Sequence, residues 1–273
     1  MKRKYYLLLI LTLLAVLLSA CRIAGSDRWT AIKKEKEIVV GLDDTFVPMG
    51  FRDKKDKIIG FDVDLAKAVF KEYGIKVKFQ PIDWTLKETE LKNESIDLIW
   101  NGYTVNKERA EKVAFSQPYM KNEQVLVTLK KNNIRFFAGM KGKLLGAQNG
   151  ASALDDMAKQ PEVLTNIIKN KQPELYDSFN DAFIDLNNNR IDGLIIDNVY
   201  ARYIIAKQKN RADYRITTGG FKPADFAVGM RKTDKTLKKK VNQAFDKLYK
   251  EGKMQQISKK WFGKDEISKQ PEN

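Results

Sequence analysis

The sequence contains no histidine and one cysteine among 273 residues. The missing histidine removes imidazole-ligated metal centres, Ser-His nucleophile pairs and the side chain that most often acts as a base near neutral pH. A lone cysteine removes any internal disulfide framework. There is also no GxSxG elbow, no Walker-type phosphate loop and no CxxC pair. Acidic residues are in the minority, 35 Asp and Glu against 50 Lys and Arg, for a formal net charge of +15. The carboxylate pairs that do occur, Asp43-Asp44 and Asp62 with Asp64, could in principle do acid–base work. Nothing in their spacing puts them around a reacting centre, and no cofactor or metal site is implied.

What is present fits a folded chain of one or two domains. Hydrophobic residues make up 43% and charged residues 31%, ordinary fractions for a protein with filled cores. The lysines are scattered, with a concentration over 232–264 (KTDKTLKKK, then KKWFGK). Such a pattern reads as a solvated basic face, or as one attracted to anionic lipid or wall polymer at a cell surface. No nucleic-acid-binding motif accompanies the charge.

The N-terminus is more specific. Lys2-Arg3-Lys4 precedes an apolar run from Tyr5 to Leu18, and Leu18-Ser19-Ala20-Cys21 follows. A basic start, a short apolar stretch and small residues make an export signal over 1–20, too short for a comfortable membrane span. The segment resembles a bacterial lipoprotein signal, which would make Cys21 the lipidated residue and explain a lone cysteine as an anchor. Removing the three basic residues of the signal lowers the net charge from +15 to +12. Residues 21–36 then read as a lipidated Cys and polar tether, with little to bury except Trp29 and Ile32.

Beyond residue 37 apolar strands alternate with amphipathic helices. Ile38-Val39-Val40-Gly41-Leu42 is a strand ending at Asp43-Asp44, followed by an apolar loop with Phe46, Pro48, Met49 and Phe51. Gly60-Phe61-Asp62-Val63-Asp64-Leu65-Ala66 opens a helix whose apolar residues 61, 65, 68 and 69 share one face, with Asp62 and Asp64 suiting its positive end. Ile75, Val77 and Phe79 alternate as a strand stopped at Pro81, and Trp84 precedes a helix around Leu86–Leu91. This alternation argues for an α/β class with largely parallel sheets.

The stretch IDLIWNGYTVNKERAEKVAFSQPY, Ile96 to Tyr119, organises the rest. Its apolar run stops at Asn101-Gly102, and Thr104 or Asn106 can cap a short helix holding Arg109. Helix N–H groups and a guanidinium fork together attract an anion such as a carboxylate. An echo follows: Leu91-Lys92-Asn93-Glu94-Ser95-Ile96-Asp97 has the spacing of Leu186-Asn187-Asn188-Asn189-Arg190-Ile191-Asp192, each heading into an apolar run. The displacement places Asp197 opposite Gly102, and Leu144-Leu145-Gly146-Ala147 ends at Gln148-Asn149-Gly150-Ala151-Ser152 as the first strand ends at Asp43. Two lobes of similar helix–strand units would bring Asp43, Thr104, Arg109, Ser152 and Asp197 to one cleft, because open α/β sheets bind ligands beyond the carboxyl ends of their strands.

Four segments carry a family resemblance: GFDVDLA at 60–66, the 96–119 stretch, the loop QNGAS at 148–152 and Lys260-Trp261-Phe262-Gly263. Over nearly all of 37–264 the chain resembles the family-3 solute-binding proteins of bacterial polar amino-acid ABC transporters. The resemblance implies a two-lobed, periplasmic-binding-protein-like (type II) α/β fold, with ligand in the cleft and two hinge strands near 121–125 and 222–226. Lobe 1 would comprise 37–121 and 226–264 and lobe 2 122–225, with 265–273 as a polar tail. It further implies a monomeric receptor, facing outward on a lipid anchor, that hands an amino acid to an ABC permease and its ATPase. By the same resemblance Arg109 takes the carboxylate, Thr104 and Ser152 are donors, Asp197 takes the ammonium, and Phe46 and Trp84 clasp the side chain. Asn101, Gly102, Gln148 and Asp43 complete the expected site. They depart from the usual residues at their positions, and the acids at 43–44 hint at a polar or cationic side chain. Two other readings stay open: a carboxylate-based dehydratase on the same fold, and an anchored basic adhesin binding host or wall polymers.

Overall fold

Residues 27–270 are described in the structure, a computed structural model; the expected signal over 1–20 and Cys21 lie outside them. Glu37–Leu42 buries Ile38, Val40 and Leu42 and pairs in parallel with Lys76–Pro81 along its whole length, from Glu37↔Lys76 to Leu42↔Pro81. The helix Phe61–Lys71 makes the crossover between them and packs Phe61, Leu65, Val69 and Phe70 onto the sheet. Leu98–Ile99 joins in parallel on the other edge of the first strand, and Gly229–Met230 and Ala114–Phe115 add on antiparallel. The second sheet repeats the plan: Leu145–Gln148 lies in parallel between Glu174–Tyr176 and Gly193–Asp197, and Gln124–Leu129 and Tyr214–Thr217 add on antiparallel.

The fold is thus the expected one, two α/β lobes with largely parallel sheets. In each five-stranded sheet four strands run one way and one runs against them, Gly229–Met230 in the first and Gln124–Leu129 in the second. The antiparallel strands belong to chain that has just passed between the lobes. Gln124–Leu129 follows the first passage and Gly229–Met230 the second. The passages themselves, Met120–Asn122 and Ala224–Phe226, pair antiparallel as a two-stranded ribbon.

Three stretches differ from their sequence-based description. Residues 29–35, expected within a polar tether, form a helix against lobe 1. Trp29 and Ile32 are three apart and so share the buried face, and the Trp29 ring stands edge-on to Tyr73 at 5.0 Å. The Arg28 amide donates to Asp234 Oδ1 at 3.0 Å, which ties the helix start to the far end of the chain. Residues 265–270, expected as tail, are also docked: Ile267 bridges to Met120, and buried Gln270 accepts from Gln117 Nε2 at 2.6 Å. The apolar loop after Asp44 is a small antiparallel sheet of Thr45–Phe46, Gly50–Arg52 and Ile58–Ile59. No helix among the described residues is long and apolar enough to cross a membrane.

Candidate ligand-binding site

Four strands aim their carboxyl ends at one place. The first leads to Asp43, Leu98–Ile99 leads to Asn101-Gly102, Leu145–Gln148 ends in Gln148, and Gly193–Asp197 ends in Asp197. Together they line a cleft whose walls are Asp43, Phe46, Trp84, Asn101, Gly102, Thr104, Arg109, Gln148, Ala151, Ser152 and Asp197. All ten residues singled out in the sequence lie on this cleft; Ala151 joins them. The lobes stand closed over it. Ser152 Oγ bonds Thr104 Oγ1 at 3.1 Å, Gln148 Nε2 donates to Asp43 Oδ2 at 2.7 Å, and Asn106 Nδ2 donates to Asp155 Oδ2 at 2.8 Å, each across the cleft.

On the lobe 1 wall the short helix Lys107–Ala110 begins at Asn106, whose Oδ1 caps the Arg109 amide at 2.8 Å. That cap directs the Arg109 side chain inward, where it is 4% exposed. Its Nη1 donates to Thr104 O at 3.1 Å, its Nη2 to Gly150 O at 3.2 Å, and its plane lies 4.6 Å from the Tyr103 ring centroid. No carboxylate of the described residues comes within ion-pair distance. A buried guanidinium held by neutral acceptors and a ring keeps an unneutralised charge, an arrangement that favours an anion.

The lobe 2 wall carries the opposite pole. Asp197 precedes the helix Asn198–Ala206 but does not cap it, so its carboxylate is free to face the cleft. Gln124 Nε2 and Asn122 Nδ2 both donate to its Oδ1, at 2.8 and 2.5 Å. Burial pushes its pKa up to about 6, against the downward pull of these two amides and of Arg109. No Lys or Arg of the described residues pairs with it. The amide oxygens Gln124 Oε1 and Asn122 Oδ1 are buried without hydrogen-bond partners.

Between the poles lies a mixed end. Asp43 accepts from the Thr45 amide at 2.9 Å and from Gln148, and burial raises its pKa. Phe46 packs on Phe179 and Tyr200 with ring centroids 5.8 and 5.6 Å away, and Trp84 stands edge-on to Tyr103. Phe46 and Trp84 are 5 and 9% exposed, so each ring serves core and cleft at once. Gly102 has φ +56°, and a Cβ there would lie 2.7 Å from the Phe46 ring; glycine lets that ring approach. The Gly102 amide donates to the buried Asp62 Oδ2 at 2.7 Å, beside the Tyr119 hydroxyl at 3.0 Å. Asp62, expected only as a helix-start charge, therefore fixes the turn from below, and burial pushes its pKa up to about 7.

Sequence reasoning missed Gln124, Asn122 and Lys87. The first two lie where the hinge was expected, but which way their side chains point depends on the ribbon's register. Lys87 is 4% exposed and donates from Nζ to Trp84 O at 2.8 Å and to Gly150 O of the opposite lobe at 3.1 Å. In the sequence it looks like any helix lysine.

Comparison with known proteins agrees with the geometry. The family model described as bacterial extracellular solute-binding proteins, family 3, matches residues 38–264. The arginine-binding extracellular protein ArtP of Bacillus subtilis is 28% identical over 262 residues, covering 95% of this chain and 98% of its own. A solved ABC uptake transporter substrate-binding protein from Streptococcus pneumoniae, with bound histidine, is 55% identical at TM-score 0.88 and covers 89% of this chain and 99% of its own. A polar amino acid ABC uptake transporter substrate-binding protein from Streptococcus thermophilus is 52% identical, covers 91% and 94%, and superposes at TM-score 0.59.

Proposed function

The chain belongs to the bacterial extracellular solute-binding proteins, family 3, and on that premise we propose that Arg109 and Asp197 hold the two charges of a free L-amino acid. The protein is the substrate-binding component of an amino-acid ABC importer. It captures its ligand between the lobes and delivers it to a membrane permease. One observation carries the residue assignment: a buried guanidinium and a buried carboxylate, neither within ion-pair distance of an opposite charge among the described residues, face one cleft from different lobes. A zwitterion supplies both missing charges, and an unpaired buried charge costs several kcal/mol. Asp197, whose Oδ1 is held by the amides of Gln124 and Asn122, accepts from the ammonium. Thr104 and Ser152 supply hydroxyls beside the carboxylate, and Phe46 and Trp84 flank the side chain.

At the far end Asp43, Gln148 and Asn101 suit a side chain bearing N–H donors, so histidine and arginine are the first candidates. Histidine is the ligand in the 55% identical relative, and arginine names the Bacillus subtilis one. The lobes, 37–121 with 226–264 and 122–225, would open about the Met120–Asn122 and Ala224–Phe226 ribbon. Ligand favours the closed form because its two charges are met by different lobes. Two relatives of nearly equal identity that superpose at 0.88 and 0.59 fit a change in the angle between lobes. Cys21 would carry a thioether-linked lipid that holds the monomeric receptor on the outer face of the membrane, since stable attachment needs acyl chains in the bilayer.

A thermal-shift screen against free amino acids tests this reading, with protein first unfolded, dialysed and refolded to strip bound ligand. A ligand that binds only the folded state adds about 4 kcal/mol at a thousandfold excess over its dissociation constant. That moves the midpoint by several degrees, at roughly 2–4 °C per kcal/mol for a chain of this size. A narrow set of polar L-amino acids should shift it, and their D-enantiomers should not. A flat screen together with salt-sensitive binding to anionic wall polymer would replace this reading with the adhesin one.

A further inference from the structure

Lys87 lies outside the lining of the cleft, yet its charge is aimed at the seam between the lobes. It opens the helix Lys87–Lys92 on lobe 1, and its Nζ reaches Gly150 O in the lobe 2 loop that ends in Ser152. Arg109 Nη2 donates to the same carbonyl oxygen at 3.2 Å. Two buried cations therefore share one neutral acceptor, no further apart than the two bonds combined. The fit is tight: a Cβ on Gly150, where φ is +71°, would lie 3.3 Å from Lys87 Nζ.

We propose that Lys87 is a specificity-determining residue: its ammonium, brought against Arg109 on the Gly150 carbonyl as the lobes close, makes closure depend on a carboxylate arriving between them. The inference rests on the reading that this cleft takes a free amino acid. In the ligand-free closed form, like charges face one another in a place from which water is excluded, and that repulsion opposes closing. A carboxylate on the Arg109 fork puts negative charge against both cations and turns the opposition into attraction. Compounds without that carboxylate leave the repulsion in place, which rejects them by an unfavourable element rather than by a missing contact.

Four charged or aromatic groups surround the ammonium. Arg109 opposes it, Glu88 Oε2 stands 3.6 Å away, Asp155 lies on the facing lobe, and the Trp84 ring centroid is 5.1 Å off. Burial first and Arg109 second bring the Lys87 pKa down to about 8, with Glu88 and Asp155 pulling the other way. The closed form therefore carries this charge at a net cost, the direction the inference requires. Glu88 is itself engaged by the Tyr103 hydroxyl at 2.8 Å, so its neutralising share is divided.

The test compares Lys87→Met and Lys87→Arg with the parent protein, each stripped of ligand by unfolding and refolding. Titration calorimetry with L-histidine and L-histidinamide, and with L-arginine and L-argininamide, gives the preference for acid over amide. Lys87→Met should shrink that preference by about tenfold, within the usual range of coupling between sites, and Lys87→Arg should keep it. Small-angle X-ray scattering of the ligand-free proteins should show Lys87→Met more compact than the parent. A plain latch predicts the reverse: acid and amide weakened by one common factor, with a ligand-free form no more compact. Either of those results overturns the proposal. If the parent binds none of the four compounds, the amino acid found by the screen and its amide take their place, and if the whole screen is flat the amino-acid reading fails and the scattering comparison alone decides the role of Lys87. Should Lys87→Met not fold, Lys87→Gln carries the same two measurements.

Discussion

Asp97 and Asp192 do the same work in the two lobes. The Asp97 amide donates to Val39 O at 2.8 Å while its Oδ2 accepts from the Val39 amide at 3.0 Å; Asp192 does both with Leu144, at 2.8 and 2.9 Å. Ahead of each aspartate the chain turns the same way, through Glu94 at φ +62° and Asn189 at φ +55°. Just before each, an isoleucine fills the space over a glycine: a Cβ on Gly41 would meet Ile96 Cδ1 at 2.5 Å, and one on Gly146 would meet Ile191 Cδ1 at 2.6 Å. The frames match and the strand tips do not. Gly102 in lobe 1 answers to Asp197 in lobe 2, and Asp43 answers to Gln148, which bonds it across the cleft. Arg109 has no charged counterpart, since Ile204 stands at the matching position. Repetition builds the cleft, and its violations at the tips give the cleft two poles and hence an orientation for its ligand.

The largest effects should come from erasing those violations. Asp197→Ala leaves a ligand ammonium unpaired and should cost roughly 2–5 kcal/mol of affinity, as for truncated buried pairs. Arg109→Lys keeps the charge but loses the fork and should remove most of the affinity as well. Calorimetry that finds parental affinity in both variants would show the poles to be misassigned.

Damage to the shared frame should be smaller and alike in both lobes. Gly41→Ala and Gly146→Ala each overpack a core and should cost about 1–3 kcal/mol in urea denaturation. Trimming the facing side chain, with Ile96→Val or Ile191→Val, should recover part of that loss. A lobe in which the alanine is tolerated would break the parallel.

The titration of Asp197 sharpens the contrast further. Binding needs the carboxylate ionised, so affinity should hold above about pH 6 and fall about tenfold per unit as pH drops through it. The sign for stability is opposite. A carboxyl whose folded pKa is raised contributes stability below its unfolded value of 3.8 that is lost as pH rises through about 6. Ligand-free Asp197→Asn should therefore be more stable than the parent at pH 7 and closer to it at pH 4. Taking the difference between the two proteins cancels the similar contribution of Asp62. An Asp197→Asn protein with parental stability at pH 7 would mean the carboxylate is not held at a cost.

The smallest effect separates the twin aspartates. Asp97 also pairs with Arg231 at 3.2 Å and Arg28 at 3.5 Å, whereas among the described residues Asp192 has only the half-exposed Lys143 at 4.0 Å. Asp97→Asn should cost about 1 kcal/mol more than Asp192→Asn, the scale of a charged hydrogen bond over a neutral one.

Much of this was legible in the residues. The repeated spacing of 91–97 and 186–192 predicts paired units, and turn residues after apolar runs mark where the strands stop. Because ligands gather at those stops, Asp43, Thr104, Arg109, Ser152 and Asp197 could be named before any contact was known, and the family resemblance added Phe46, Trp84, Asn101, Gly102 and Gln148. What escaped depends on the other lobe or on register. Lys87 reaches Gly150 O of the other lobe as well as Trp84 O of its own. Gln124 and Asn122 face Asp197 only because Asp197 pairs with Gln124 and the ribbon pairs Asn122 with Ala224. Trp29 and Ile32 are too few to announce a helix in a basic segment, and they form one because Tyr73 and Asp234 receive it.

The central claim is that the two poles act on different ends of one ligand, and a cross-paired titration tests it most directly. Calorimetry would measure an amino-acid hit from the screen, its amide and its N-acetyl derivative against the parent, Arg109→Lys and Asp197→Asn. In the parent both modified ligands should bind far more weakly. Arg109→Lys should lose much of its discrimination against the amide while still rejecting the N-acetyl compound, and Asp197→Asn should do the converse. Losses that simply add in every combination, or a crossed pattern in which Arg109 senses the amino end, would contradict the account.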